Sequence, residues 1–179
     1  MTTATAAQQP STLPNERLQE FQGWLNESST YLKENMLSNL EQGLKLFDPG
    51  FSFANPTAIR NLQETIDSIL NPANGRLFLV NEPDSYYSAK HYYLTSDQVG
   101  PANSISTADR GVQQLLQGAN IELNIALIES KEELLGSLTH EMFHILSRTG
   151  RTGEAEYAWN SMLFQEGATE LFTQMVLCQ

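Results

Sequence analysis

The stretch from Ile121 to Arg148 constrains the fold most, because a strand pattern runs directly into a helix pattern. Apolar and polar residues alternate over IELNIALI, residues 121–128, which predicts a β-strand with one buried face. Ser130 to Glu133 then form the S-x-x-E capping box that begins a helix at Lys131. A chain with this junction needs a sheet and a helix that pack on each other, so we expect an α+β fold.

Helical patterns come before and after this junction. Apolar residues recur at helical spacing from Asn15 to Phe47, as one helix or two, and again from Pro56 to Leu70, where Asn55 is the predicted N-cap. The other predicted elements are a strand at 76–80, a second strand within 86–94, a helix at 106–117, and a helix at 154–176 with a potential break near Gln165. This order of helices, mixed elements and two long helices fits the α+β class.

Composition and charge exclude several classes of function. The chain of 179 residues carries 10 Lys and Arg against 21 Asp and Glu, a net charge of −11, so phosphate backbones and anionic lipid would repel it. We therefore expect no nucleic-acid partner and no membrane partner. The one cysteine, Cys178, excludes an internal disulfide and any zinc site that needs two thiolates.

Nothing in the sequence predicts a membrane anchor or export by the Sec route. No segment approaches the roughly 20 apolar residues of a membrane span, and residues 1–14 lack the basic start and the apolar run of a signal peptide. These first residues are small, polar and interrupted by proline, so we expect a disordered tail. The expected location is the cytoplasm, or the outside of the cell by a non-Sec route.

The helix that begins at Lys131 contains His140-Glu141-Met142-Phe143-His144, with two of the three histidines of the chain. Four residues advance a helix by about 6 Å with an offset of about 40°, so both imidazoles can reach one zinc ion. Glu141 lies too far round the helix to be a third ligand and is placed to act as a general base. Both histidines lie about 200° from the predicted apolar stripe, which disfavours core histidines and leaves a solvated histidine face as the alternative.

A catalytic zinc site needs a third protein ligand, and the downstream helix offers one. Glu166 follows His144 by 22 positions, enough for one helix to end, turn and return beside the first. Glu170 could accept a hydrogen bond from the free ring N–H of a ligand histidine, and Gly167 would let the backbones pack closely. The alternative is an ordinary exposed acidic pair. Both glutamates lie away from the predicted apolar stripe of this helix, which consists of Phe164, Ala168, Leu171 and Met175.

HEMFH followed by QEGATE resembles the gluzincin zinc metallopeptidases, in which HExxH is followed some twenty residues later by a glutamate ligand. The resemblance covers residues 121–176 and implies Glu141 as general base, with Glu170 as the carboxylate partner of a ligand histidine. The ligands that it implies for a Zn²⁺ ion are His140, His144 and Glu166. It also implies a zincin-like core, with a small mixed sheet, an active-site helix and a following ligand helix.

Gluzincins place an edge strand before the active-site helix, where it pairs with extended substrate. The strand predicted at 121–128 would take that place, with Asn124 and Ala126 contacting a protein or peptide substrate. The implied metallopeptidase domain covers residues 76–179 and follows an N-terminal helical segment at 15–75. The metzincin pattern is not met, because it requires glycine and histidine where this chain has Ser147 and Gly150.

Many gluzincins use a Tyr or His of a C-terminal subdomain to stabilise the oxyanion, whereas this sequence ends nine residues after Glu170. The domain would then be minimal, or an upstream residue would stabilise the oxyanion, or the sequence would be a fragment. Tyr157 is the first candidate for the oxyanion role, and His91 with its tyrosine neighbours the second. For each of these rings, packing or a place on the surface is the favoured alternative. The expected activity is a zinc metalloendopeptidase in which Glu141 deprotonates a zinc-activated water. The alternatives are a non-catalytic binding or inhibitory module on a zincin scaffold, and a secreted effector or toxin protease.

Overall fold

The computed structural model describes residues 15–93, 119–148 and 159–178. The α-helices and β-strands in these ranges are α1 (Asn15–Lys45), α2 (Pro56–Ile69), β1 (Leu77–Val80), β2 (Ala89–Tyr93), β3 (Ala119–Asn124), α3 (Lys131–Arg148) and α4 (Trp159–Leu177), and a short 3-10 helix spans Pro72–Asn74. The α+β class is confirmed for this part of the chain, and α1 is one continuous helix. The predicted tail at 1–14 and the predicted helix at 106–117 lie outside the described residues.

Side-chain caps begin α2 and α3 where the sequence predicts them. The Asn55 side chain accepts hydrogen bonds from two backbone N–H groups in the first turn of α2, at 3.0 and 3.1 Å. Ser130 Oγ accepts from the N–H of Glu133 at 3.1 Å. The Glu133 carboxylate accepts from the N–H of Glu129 at 2.8 Å, one residue before the partner that a capping box predicts. These bonds satisfy N–H groups that lack a partner within the helix, and so fix where each helix begins.

β3 is the central strand of the three described strands, which lie in the order β1-β3-β2. It pairs in parallel with β1, where Leu77 lies opposite Ile121, and antiparallel with β2, where His91 lies opposite Ile121. Both backbone edges of β3 are therefore occupied, and the prediction of a substrate-pairing edge strand at 121–128 is wrong. Alternation could not reveal this, because it records which face of a strand is buried and not which strands are its neighbours.

β3 also ends at Asn124, earlier than the pattern predicts. Asn124 Oδ1 accepts from the N–H of Ala126 at 3.2 Å, which turns the chain out of the sheet. The same side chain accepts from the N–H of Glu82 at 3.0 Å and donates to its carbonyl at 2.8 Å. Asn124 is 3% exposed and ties two loops together. Asn124 and Ala126 were predicted to bind substrate because they would lie on an edge strand. Since β3 is the central strand, this prediction loses its basis.

The N-terminal helices share a hydrophobic core with the sheet and α3. Every residue of β3 except Glu122 is buried, so both faces of the strand are covered rather than the one that alternation predicts. Among the described helices, none combines the length and the hydropathy that a membrane span requires. Fully buried members of the core include Phe21, Leu32, Met36, Ile66, Ile69, Ile121, Leu123, Leu134 and Leu138.

The second half of α4 is held tightly against α1. Gly43 of α1 lies so close to α4 that a Cβ built on it would be 2.6 Å from the Cβ of Met175. The Tyr31 hydroxyl and the Asn39 amide, also on α1, both donate hydrogen bonds to the Val176 carbonyl, at 3.3 and 3.0 Å. Glycine at position 43 therefore allows an approach of the two helices that any larger residue would prevent.

The buried face of α4 differs from the predicted apolar stripe. Leu171 is 48% exposed, whereas Thr169 and Thr173 are buried. The Thr173 hydroxyl donates to the Thr169 carbonyl at 2.8 Å, so a polar residue is satisfied within the helix and can face inward. The expected close approach at Gly167 is wrong, because a Cβ there would meet nothing within 4 Å. The helix also continues through Gln165, so the potential break predicted there is absent.

Candidate metal centre

Side chains of His140 and His144 on α3 and of Glu166 on α4 meet at one point. The two imidazole Nε2 atoms are 3.1 Å apart, and each lies 3.3 Å from Glu166 Oε2. One turn of α3 separates the histidines, so both rings project from the same face of the helix. The structure thus brings together the three residues that the sequence predicts as metal ligands. Within the described ranges, no other group of three His, Cys, Asp or Glu side chains lies this close together.

These separations suit a tetrahedral zinc site. Zinc binds imidazole nitrogen and carboxylate oxygen at about 2.0–2.1 Å, and tetrahedral angles then place two donor atoms roughly 3.3–3.4 Å apart. The observed separations of 3.1, 3.3 and 3.3 Å are close to this value. Two imidazoles and one carboxylate also form a ligand set found in catalytic zinc sites, which keep a fourth position open. The alternative is a hydrogen-bonded cluster without an ion, in which one ring N–H donates to the other ring.

His144 is the buried member of the cluster. It is 7% exposed, while the side chains of His140 and Glu166 are 24% and 57% exposed. Burial lowers the pKa of His144 below its ordinary value because desolvation disfavours the imidazolium, although Glu166 opposes the shift. His144 is therefore neutral at neutral pH, the form that offers a lone pair to a metal. The expectation that both histidines point away from the core holds better for His140, since the ring of His91 covers part of His144.

Glu170 lies beside the other nitrogen of the His140 ring. Its Oε2 is 3.4 Å from His140 Nδ1, and its Oε1 accepts a hydrogen bond from the Gln174 amide at 2.8 Å. A carboxylate in this place favours a proton on Nδ1, which leaves the lone pair on Nε2, the atom that faces Glu166. The predicted role of Glu170 as the partner of a ligand histidine is compatible with this position and stays a prediction.

Glu141 projects toward β2 and contacts His91 twice. Its Oε2 accepts from the backbone N–H of His91 at 3.0 Å and lies 2.6 Å from the ring Nδ1. The His91 ring also stacks on His144, with ring centroids 4.8 Å apart and planes 22° apart. Sequence reasoning offered His91 for the oxyanion role and missed its contact with the predicted base. Nothing in the sequence relates a strand residue to a helix residue 50 positions later.

A cleft of about 350 Å³ opens beside these residues. The cleft is lined by His140 and Glu141 on α3, by Glu170 on α4 and by residues 86–89, which lead into β2. Asn124 and Ala126 do not line it. Within that segment, the side chains of Tyr86 and Tyr87 are 98% and 66% exposed. The predicted base, Glu141, and one predicted ligand, His140, therefore both line this cleft.

Tyr157, the first candidate for stabilising an oxyanion, lies outside the described residues.

Comparison of the chain with protein-family models, with curated proteins and with solved structures gives no match. The resemblance to gluzincins therefore rests on the HExxH and EGxxE motifs and on the convergence of His140, His144 and Glu166.

Proposed function

We propose that this protein is a zinc-dependent metalloendopeptidase, with His140, His144 and Glu166 as the metal ligands. The mutual spacing of their three donor atoms, 3.1 to 3.3 Å, supports the proposal most. The HExxH motif alone would not produce this spacing, because Glu166 comes from another helix, 22 positions after His144. A zinc ion bound there would polarise the carbonyl of a peptide bond as a Lewis acid and lower the pKa of a water at the site.

Glu141 is the group that moves the proton in this proposal. It directly follows His140, lines the cleft, and has a side chain that is 13% exposed. Its carboxylate accepts a proton from the attacking water and later delivers that proton to the leaving amine. Partial exclusion of bulk water at this position strengthens the interaction of the carboxylate with nearby charges.

The cleft beside the cluster is the proposed path of the substrate. An extended peptide in the cleft contacts the segment 86–89 and brings a backbone carbonyl to His140 and Glu141. The exposed rings of Tyr86 and Tyr87 offer apolar surface to the side chains of such a peptide. The net charge of −11 disfavours acidic substrates. Unfolded or extended protein segments without an acidic bias are therefore the proposed substrate class.

Metal analysis tests the ligand set. Purified wild-type protein should hold about one zinc per chain. Loss of a residue that only hydrogen-bonds to a metal ligand weakens metal binding roughly 10–100-fold. Glu166→Ala removes a ligand itself, so it should weaken zinc binding by more than this. Glu132→Ala is the matched control, since it removes an exposed glutamate from the helix that carries both histidines, and it should bind zinc as wild type does. Normal zinc binding by Glu166→Ala would contradict the ligand assignment.

Cleavage of an unfolded protein tests the catalytic assignment. Glu141→Gln should retain zinc and lose cleavage, because it removes the proton acceptor and leaves the three ligands in place. Cleavage that survives in Glu141→Gln would exclude Glu141 as the base. Wild-type protein that binds zinc but cleaves no peptide would favour the other candidate, a non-catalytic binding or inhibitory module on the same scaffold.

A further inference from the structure

We propose that His91 is a positioning residue that holds the Glu141 carboxylate in the orientation that proton transfer requires. This role rests on the proposed peptidase activity and adds to it a function for the third histidine of the chain. His91 lies outside both metal-binding motifs, 50 positions before Glu141. It reaches the site because β2 pairs antiparallel with β3 and packs against α3.

Two hydrogen-bond donors of His91 converge on one oxygen of Glu141. The backbone N–H lies 3.0 Å from Oε2, and the ring Nδ1 lies 2.6 Å from the same atom. An ionised carboxylate oxygen can only accept, so Nδ1 carries the proton in this arrangement. Hydrogen bonds to an ionised partner are about twice as strong as neutral ones. With Oε2 engaged by both donors, Oε1 is the oxygen that accepts the proton from water.

The contact restricts a side chain that would otherwise move freely. A glutamate side chain has three torsions, and fixing such a side chain costs entropy that its contacts must offset. The side chains of His91 and Glu141 are 19% and 13% exposed, so water competes little for their hydrogen bonds. One of the two donors is a backbone group of β2, which ties the carboxylate to the sheet. Misplacing a catalytic group by about 1 Å can lower a rate about 100-fold, so this restriction matters for the rate.

The same imidazole packs against a proposed metal ligand. The rings of His91 and His144 are stacked, with centroids 4.8 Å apart and planes 22° apart. His91 therefore contacts the base through its edge and the ligand through its face. Substitution can separate the two contacts. Phenylalanine keeps a flat ring without a donor, whereas asparagine keeps a donor near the place of Nδ1 without a ring.

Steady-state kinetics of these variants test the positioning role. His91→Phe should lower kcat by about 10–100-fold, with zinc content and KM close to wild type. His91→Asn should recover most of the lost kcat, because its amide N–H can replace the Nδ1–H donor. Lys90→Ala is the matched control and should keep the wild-type kcat. The Lys90 side chain points to the other face of β2 and pairs with Glu122 at 2.6 Å.

Ring-nitrogen NMR of the metal-free protein tests the contact without any activity. The chain has three histidines, so comparison with His91→Asn identifies the His91 resonances. Wild-type protein should show the His91 proton on Nδ1, since the hydrogen bond that one ring nitrogen makes sets the tautomer. Glu141→Ala removes the acceptor and should move His91 toward the Nε2–H form.

The outcomes separate failure of this role from failure of the proposed function. A wild-type kcat in His91→Phe would overturn the positioning role. A raised kcat would overturn it too, because it would mean that the contact with His91 restrains Glu141 in an unproductive orientation. A His91 ring protonated only on Nε2 in the wild type would overturn the contact itself. The expected NMR result in a protein without peptidase activity would instead overturn the proposed function.

Discussion

Replacing Gly43 by alanine should destabilise the protein through the contact between α1 and α4. The added Cβ would lie 2.6 Å from the Cβ of Met175, 2.7 Å from its Cγ and 3.2 Å from its Sδ. Carbon atoms in contact are ordinarily about 3.5–4.0 Å apart, so the shortfall is roughly 1 Å. The Cβ of Met175 is fixed by the backbone of α4 and cannot rotate away. The two helices must therefore move apart to admit the new methyl group.

The expected loss is about 1–2 kcal/mol in the free energy of unfolding. Adding a methyl group to a packed contact costs roughly 1–3 kcal/mol, and the better helix propensity of alanine offsets about 0.5–1 kcal/mol. Urea unfolding followed by circular dichroism should show a lower midpoint with an unchanged slope. Gly23→Ala is the control on the same helix, because a Cβ at Gly23 meets nothing within 4 Å. It should gain about 0.5–1 kcal/mol, and equal midpoints for the two variants would refute the close approach.

The same substitution should also weaken zinc binding. Met175 and Val176 anchor the second half of α4 to α1, while Glu166 projects from the first half of the same helix. Moving α4 away from α1 shifts Glu166 Oε2, which now lies 3.3 Å from both histidine Nε2 atoms. Calorimetric titration should therefore give a lower zinc affinity for Gly43→Ala than for Gly23→Ala. Equal affinities would show that contacts with α3 alone position Glu166.

Two further predictions concern the groups around the cluster. Glu170→Gln should weaken zinc binding about 10–100-fold, since Glu170 lies 3.4 Å from His140 Nδ1; unchanged affinity in a zinc titration would contradict its role. In the metal-free protein the pKa of His144 lies below 6.5, so the folded state binds fewer protons than the unfolded state. The free energy of unfolding should fall as pH drops from above about 6.5 through the lowered pKa. His144→Gln should reduce this loss of unfolding free energy at low pH. Wild-type urea midpoints that do not change with pH would contradict the lowered pKa of His144.

Features that depend on a few neighbouring residues could be predicted from the sequence. Asn55 and Ser130 cap their helices within three residues, so residue type and spacing are sufficient to identify them. The separation of His140 and His144 is likewise fixed by helix geometry. Predicting Glu166 as the third member of the cluster required one more assumption, that the next helix returns beside the first. In the structure the Glu166 carboxylate lies next to the two histidine rings.

Contacts between distant parts of the chain could not be predicted in this way. β3 pairs with two earlier strands, and the paired residues lie 26 to 44 positions apart in the sequence. Strand pairing leaves no pattern in a single sequence. The approach of Gly43 to Met175 and the contact of His91 with Glu141 are of the same kind. Glycine occurs in many helices and histidine in many strands, so residue type alone marks neither position.

The charges at the site bear on the proposed zinc binding. The chain's three histidines all lie at the site. The carboxylates of Glu141, Glu166 and Glu170 lie there with them. With neutral imidazoles, three ionised carboxylates give a local charge of −3 in a chain of net charge −11. Protons or a divalent cation can offset this charge, and they compete because a protonated Nε2 cannot be a ligand. Burial lowers the pKa of His144, which disfavours the proton near neutral pH. Burial therefore keeps His144 in the neutral form, which is the form that the proposed zinc site requires of a ligand.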